Sequence, residues 1–148
     1  MATFQKIVPS LWFDNQAKEA ANFYCSIFPE SKILSHSPLI TEFELSGQRF
    51  SALNGGPQFK FSEAVSFIVN CKDQDEVDLY WNKLTAEGGE ESMCGWLKDK
   101  YGLSWQIIPE QLGQMMTEGT ENKKKKMMDK LLTMRKLIVS ELEAAFNS

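Results

Sequence analysis

The most constraining feature of this 148-residue chain is that one pattern occurs in it twice. Residues 7–15, IVPSLWFDN, are an apolar run bounded by polar residues, the mark of a buried strand. QAKEAANFYCSIF follows, with Ala17, Ala20, Ala21, Tyr24 and Phe28 near helical spacing; Asp14 or Asn15 is positioned to cap the helix and Pro29 to stop it. The pattern returns in AVSFIVNC, residues 64–71, and then in DQDEVDLYWNKLTAEGG, where Val77, Tyr80, Trp81 and Leu84 form the apolar stripe. Asp73 with Glu76 reads as a capping box, and Gly88-Gly89 as the helix stop. Ser10-Leu11-Trp12-Phe13-Asp14 aligns with Ser66-Phe67-Ile68-Val69-Asn70.

Strand material follows each helix. After the first come Lys32–Ser37, Ile40–Leu45 and Gln48–Leu53, with a Ser46-Gly47 turn; after the second come Glu91–Leu97 and Leu103–Ile108 around the polar turn Lys98–Gly102. A sheet this short cannot bury both faces by itself. The expectation is therefore an α+β fold of two βαβββ modules, about 1–60 and 61–112, forming a curved mixed sheet around a cavity with helices outside. Residues 113–148 form a C-terminal helical extension. In that tail Met115, Met116, Met127, Met128, Leu131, Leu132, Met134, Ile138 and Leu142 give an amphipathic pattern. A break near Val139 is followed by a second capping box at Ser140–Glu143, and so much apolar surface must cover the back of its own sheet or a partner subunit.

Charge narrows the classes of function. A net charge of −4 does not supply the concentrated cationic surface that phosphate backbones require, so nucleic acid is not an expected partner. Lys123–Lys126, the one basic run, reads as a solvated helix face. MATFQKIVPS has no apolar targeting core, and no apolar run is long enough for a bilayer, so a membrane is not expected either. Cys25, Cys71 and Cys94 are odd in number and form no CxxC pair, which fits reduced thiols in a cytoplasmic protein.

The segments IVPSLWFDNQAKEAANFY, FSALNGGPQFKF, SFIVNCKDQDEVDLYWNKL and CGWLKDKYGLSWQIIPE carry a close resemblance over nearly the whole chain. They resemble the PhnB-like, "3-demethylubiquinone methyltransferase-like" branch of the vicinal oxygen chelate (glyoxalase/bleomycin-resistance/dioxygenase) superfamily. The one departure is a short connection over Lys32–Ile40. The resemblance implies a U-shaped sheet around a small-molecule cavity, in a homodimer. In metal-using relatives each module supplies a His or Gln on its first strand and a Glu on its last. Carried onto this chain, those positions fall near Pro9 or Ser10, at Asn54, near Ser66 and at Gln106.

The residues at those positions are hydroxyls and neutral amides, whereas divalent ions need imidazole, thiolate or carboxylate donors. The single histidine, His36, lies elsewhere. No metal ligand set and no cofactor are therefore expected. Gly55-Gly56-Pro57 follows a strand but opens no helix, which leaves methyl transfer the weaker possibility. The sequence thus predicts metal-free binding of a small molecule by Ser10, Trp12, Asn54, Ser66, Cys94, Trp96 and Gln106. The alternative is a metal-dependent glyoxalase- or dioxygenase-type enzyme drawing ligands from Glu42, Glu44, Glu63 or His36. Whether any reaction is catalysed is left open by the residues.

Overall fold

The computed structural model describes residues 5–148, which divide into two compact units, one through Phe61 and one over Ser62–Ser148. The first contains β1 (Ser10–Phe13), α1 (Ala17–Ile27), β2 (Lys32–His36), β3 (Ile40–Leu45) and β4 (Gln48–Asn54). The second contains β5 (Ser66–Cys71), α2 (Gln74–Thr85), β6 (Glu90–Glu91), β7 (Trp96–Lys98) and β8 (Ser104–Pro109). Three tail helices follow: α3 (Glu110–Glu118), α4 (Glu121–Leu131) and α5 (Val139–Phe146). The α+β architecture of two βαβββ modules is as the sequence predicts. The strand pairing closes within each module, giving two four-stranded mixed sheets, ordered β1-β4-β3-β2 and β5-β8-β7-β6.

In each sheet the first and last strands pair in parallel, Ser10 with Ser51 through Phe13 with Asn54, and Ser66 with Ser104 through Cys71 with Pro109. A parallel pair needs a crossover connection, and the amphipathic helix supplies it. In the first unit Ala17, Ala20, Ala21, Tyr24 and Ile27 bury one stripe of α1. They share the core with Leu11, Phe13, Phe43, Phe50 and Ala52, and Phe43 stacks on Phe50 at 5.4 Å. Each such large apolar side chain stabilises the fold by about 1.5–3 kcal/mol. In the second unit Val77, Tyr80, Trp81 and Leu84 of α2 are buried, with Cys71, Leu97, Trp105 and Ile107 on the facing side of the sheet.

The helix caps depart from expectation in an informative way. Asp73 does cap α2, accepting from the Glu76 N–H at 3.0 Å, while Glu76 Oε1 accepts from the Lys72 N–H. Neither Asp14 nor Asn15 caps α1. Gln16 stands at its N-cap with no side-chain bond, and the Ala17 N–H donates instead to Asn54 Oδ1 at 2.8 Å. The box expected at Ser140 is likewise absent. Helix α5 begins one residue earlier, and its Val139 N–H donates to Gln74 Oε1 at 2.7 Å. Both starts are capped from distant elements, which no local motif can encode.

The strand expected over Glu91–Leu97 is interrupted. Cys94 and Gly95 have left-handed backbones, with φ of 62° and 86°. Their N–H groups donate to Met134 O and Arg135 O, both at 2.8 Å, outside the sheet. The turn between β7 and β8 hides a carboxylate: Asp99, 2% exposed, accepts from the Tyr101 and Leu103 N–H groups and from Trp105 Nε1.

The tail is three helices rather than two, broken at Gly119 and over residues 132–138. A Cβ at Gly119 would lie 2.5 Å from the Phe146 ring, so only glycine lets α5 approach there. Met115, Met127, Leu131, Met134, Leu137 and Leu142 form a second core, against which Cys94, Ile108 and Leu112 pack. Within this unit, then, most of the methionine-rich surface is covered by its own chain, while Met116 and Leu132 stay exposed. Gln74 ties it to α2, its Nε2 donating to Leu137 O at 3.0 Å, and Lys136 pairs with Asp78 at 2.9 Å.

Candidate functional site

Each sheet has a face turned away from its helix, and side-chain alternation decides which residues it carries. In the second unit that face carries Ser66 and Ile68 of β5, Ser104 and Gln106 of β8, and Trp96 and Lys98 of β7, by register. Gln106 Nε2 donates to Ser66 Oγ at 2.9 Å, and Trp96 and Ile68 flank Gln106 on either side in the ladder. Ile68 is 58% exposed. Ser104 is only 1% exposed, and its Oγ has no hydrogen-bond partner among the described residues. Leaving a buried hydroxyl unpaired costs about 1–3 kcal/mol, which sets Ser104 apart from its neighbours on this face. Beside it Lys98 forms an ion pair with Glu63. The hydrogen bond to Lys98 holds the Glu63 carboxyl below its ordinary range, and Glu63 raises Lys98 in return.

In the first unit Ser10 and Trp12 lie on the open face, paired with Ser51 and Leu53. Asn54 does not join them. One position beyond Leu53, it shares the helix-facing side with Phe13, accepts from Ala17 N–H and donates through Nδ2 to Pro38 O at 3.1 Å. By register, the first-unit counterpart of Gln106 is Leu53. Trp12 is engaged by the glycine turn: its Nε1 donates to Gly56 O at 2.8 Å and its ring meets Phe59 edge-on at 4.9 Å. A Cβ at Gly55 would lie 2.4 Å from the Trp12 ring. Glycine is required at this turn by the indole, and no helix follows it, so it does not fit a cradle for an adenosyl cofactor. Cys94 packs against the tail core, and within the second unit Ser66, Trp96 and Gln106 of the expected set cluster together. Ser104 lies outside the predicted ligand-binding set, but the strand parity it shares with Gln106 already turns it to the same face as the sequence is read.

The donor set can be compared with what a divalent ion needs. At the family's ligand positions this chain offers serine hydroxyls, the Gln106 amide and, by register, the Leu53 side chain. None is an imidazole or a carboxylate, so the set does not fit a tightly held ion. Among the described residues no three His, Cys, Asp or Glu side chains lie together so as to hold one. His36 Nδ1 lies 3.0 Å from Thr41 Oγ1.

The Cys71 and Cys25 thiols are equally unsuited to attack. Burial first, then the Glu76 and Asp73 carboxylates, push the Cys71 thiol up to about 12, and burial also raises Cys25. A thiol near 12 is ionised in only about one molecule in 10⁵ at neutral pH. Native protein treated with iodoacetamide at pH 7 should therefore leave Cys71 unmodified, as peptide mass mapping would show. Rapid labelling of Cys71 in folded protein would contradict the burial described above.

The fold is that of glyoxalase/bleomycin-resistance proteins. A glyoxalase-related enzyme from Fulvimarina pelagi superposes with a TM-score of 0.51 at 15% identity, covering 71% of this chain and 88% of its own. The fosfomycin resistance protein FosX from Listeria monocytogenes, solved with Mn(II) and sulfate, gives 0.56 at 14% identity over 83% and 96%. The PhnB protein from Bacillus cereus is nearer, with 34% identity, a TM-score of 0.65 and coverage of 71% of this chain and 99% of that one. The chain belongs to the PhnB-like family described as 3-demethylubiquinone-9 3-methyltransferase, whose model matches residues 5–108. No functionally curated protein matches it.

Proposed function

We propose that this protein binds a small molecule without a metal ion. Gln106, Ser66 and Ser104 supply the hydrogen bonds, and Trp96 and Ile68 the apolar surface. The observation carrying this reading is the unpartnered Ser104 Oγ beside the Gln106–Ser66 pair. Apolar surface with a few convergent polar groups is the usual chemistry of a small-ligand site. The homodimer implied by the resemblance belongs to the same reading, and the family's name alone does not carry methyl transfer to this chain.

Elemental analysis of protein purified without chelator should find no stoichiometric manganese, iron, nickel or zinc. Near-unit occupancy by any of them would sink the proposal. Ser104 supplies a second, opposite-signed test. Without ligand, Ser104→Ala should stabilise the protein by about 1 kcal/mol, because it removes an unpaired buried hydroxyl. Compounds that raise the melting temperature of the parent protein should lose that effect in Ser104→Ala and in Gln106→Ala. Shifts that persist unchanged in both variants would remove this face from consideration.

A further inference from the structure

The open face of the first unit carries a second constellation, which the site above does not use. Gln5, Val8, Ser10, Glu42, Arg49 and Ser51 line a groove of about 320 Å³. Arg49 is held at its backbone, where its N–H donates to Gln5 Oε1 at 3.1 Å, and at its side chain, where Nε donates to Glu42 Oε2 at 3.4 Å. The two terminal guanidinium nitrogens have no protein partner among the described residues. Ser10 and Ser51 sit opposite each other in the β1–β4 ladder, and neither hydroxyl has a side-chain partner among the described residues. Glu44 faces Arg49 across the β3–β4 ladder, so both signs of charge meet at this place.

A half-exposed ion pair of this kind contributes little to stability. As a recognition element it is more specific, because an arginine fork offers two parallel donors to a carboxylate. A bare anion would meet the Arg49 fork but also the neighbouring carboxylates. A molecule with a hydrogen-bond donor next to its carboxylate matches both signs at once.

We propose that this groove binds a small carboxylic acid with an ammonium or hydroxyl group on the adjacent carbon, that is, an amino acid or a hydroxy acid. The carboxylate lies on the Arg49 fork and the Ser10 and Ser51 hydroxyls, the adjacent donor on Glu42, and the remaining apolar part against Val8. The proposal concerns residues that the reading above does not use, and it stands independently of that reading.

Titration calorimetry of the full chain with phenylalanine, phenyllactate and 3-phenylpropionate isolates the adjacent donor, since all three share the phenyl group and the carboxylate. At least one of the first two should bind about ten-fold more tightly than 3-phenylpropionate, and Arg49→Gln should weaken that binding by about ten-fold or more. Arg49→Lys, which keeps the charge without the fork, should recover only part of it. Glu42→Gln should weaken phenylalanine if the ligand is an amino acid, and should spare phenyllactate if it is a hydroxy acid. Equal affinity for all three acids, no binding of any, or an Arg49→Gln variant that binds normally would overturn the proposal. Failure here, while other compounds still act through Gln106 and Ser104, sinks this inference alone.

Discussion

Replacing Asp99 with alanine is expected to lower stability by about 3–5 kcal/mol, the largest loss from any single polar side chain of this protein. The N–H groups that converge on that carboxylate include Tyr101 N–H at 2.8 Å, Leu103 N–H at 3.1 Å and Trp105 Nε1–H at 2.9 Å. Leu103 and Trp105 are buried, so water cannot replace the lost acceptor without opening the hairpin. Asp99→Asn should fall between the parent and alanine at about 1–3 kcal/mol, because the amide keeps one acceptor oxygen but turns an NH₂ toward the other donors. Urea unfolding monitored by tryptophan fluorescence gives both values, provided the slope with denaturant is unchanged. A loss below about 1 kcal/mol for the alanine variant would show that the hairpin does not depend on this network.

The second large effect lies where the tail meets α2. Leu137, fully buried in the tail core, should cost about 2–5 kcal/mol on substitution by alanine. Gln74→Ala should cost about 1–3 kcal/mol, since it leaves the Leu137 carbonyl and the Val139 N–H without partners. The two residues grip the same segment, so the double variant should lose less than the sum, and equilibrium unfolding of the cycle measures the difference. Additive losses would mean that the clamp and the core act separately. Acid should loosen the same junction. Hydrogen bonds from Gln74, then Lys136, hold the Asp78 carboxyl below its ordinary value of 3.8. A lowered folded value means that this contribution is complete well above the ordinary value of 3.8 and is lost as pH falls through the folded value.

What the sequence discloses here follows the range over which each interaction acts. Alternation and helical spacing act between near neighbours, and they locate β3 at Ile40–Leu45, the buried stripes of both helices and the Asp73 capping box. The position of Asn54 was not legible, because the register of a parallel pair is set by two strands about forty residues apart. One position of difference turned it from the open face to the α1 terminus. The same limit hid the Gln74 cap of α5 and the interruption at Cys94-Gly95, which exists to bond residues 134 and 135. At the site, Ser66, Trp96 and Gln106 were legible because strand parity brings them together, whereas Cys94 was drawn to the tail by apolar packing. Asp99 looked like an ordinary turn residue because the indole that buries it lies on the following strand.

The clamp between Gln74 and residues 137–139 spans 63 and 65 positions of chain. Contacts so far apart must be closed against loop entropy before they return any free energy, and a high share of them slows folding. The first unit is complete once residue 61 has been synthesised, but the second cannot close its clamp on Gln74 until residue 139 has been. During that interval Cys94, Ile108 and the tail methionines are apolar surface without cover. Its nascent form is therefore the stage at which this protein is most open to chaperones, proteases and self-association.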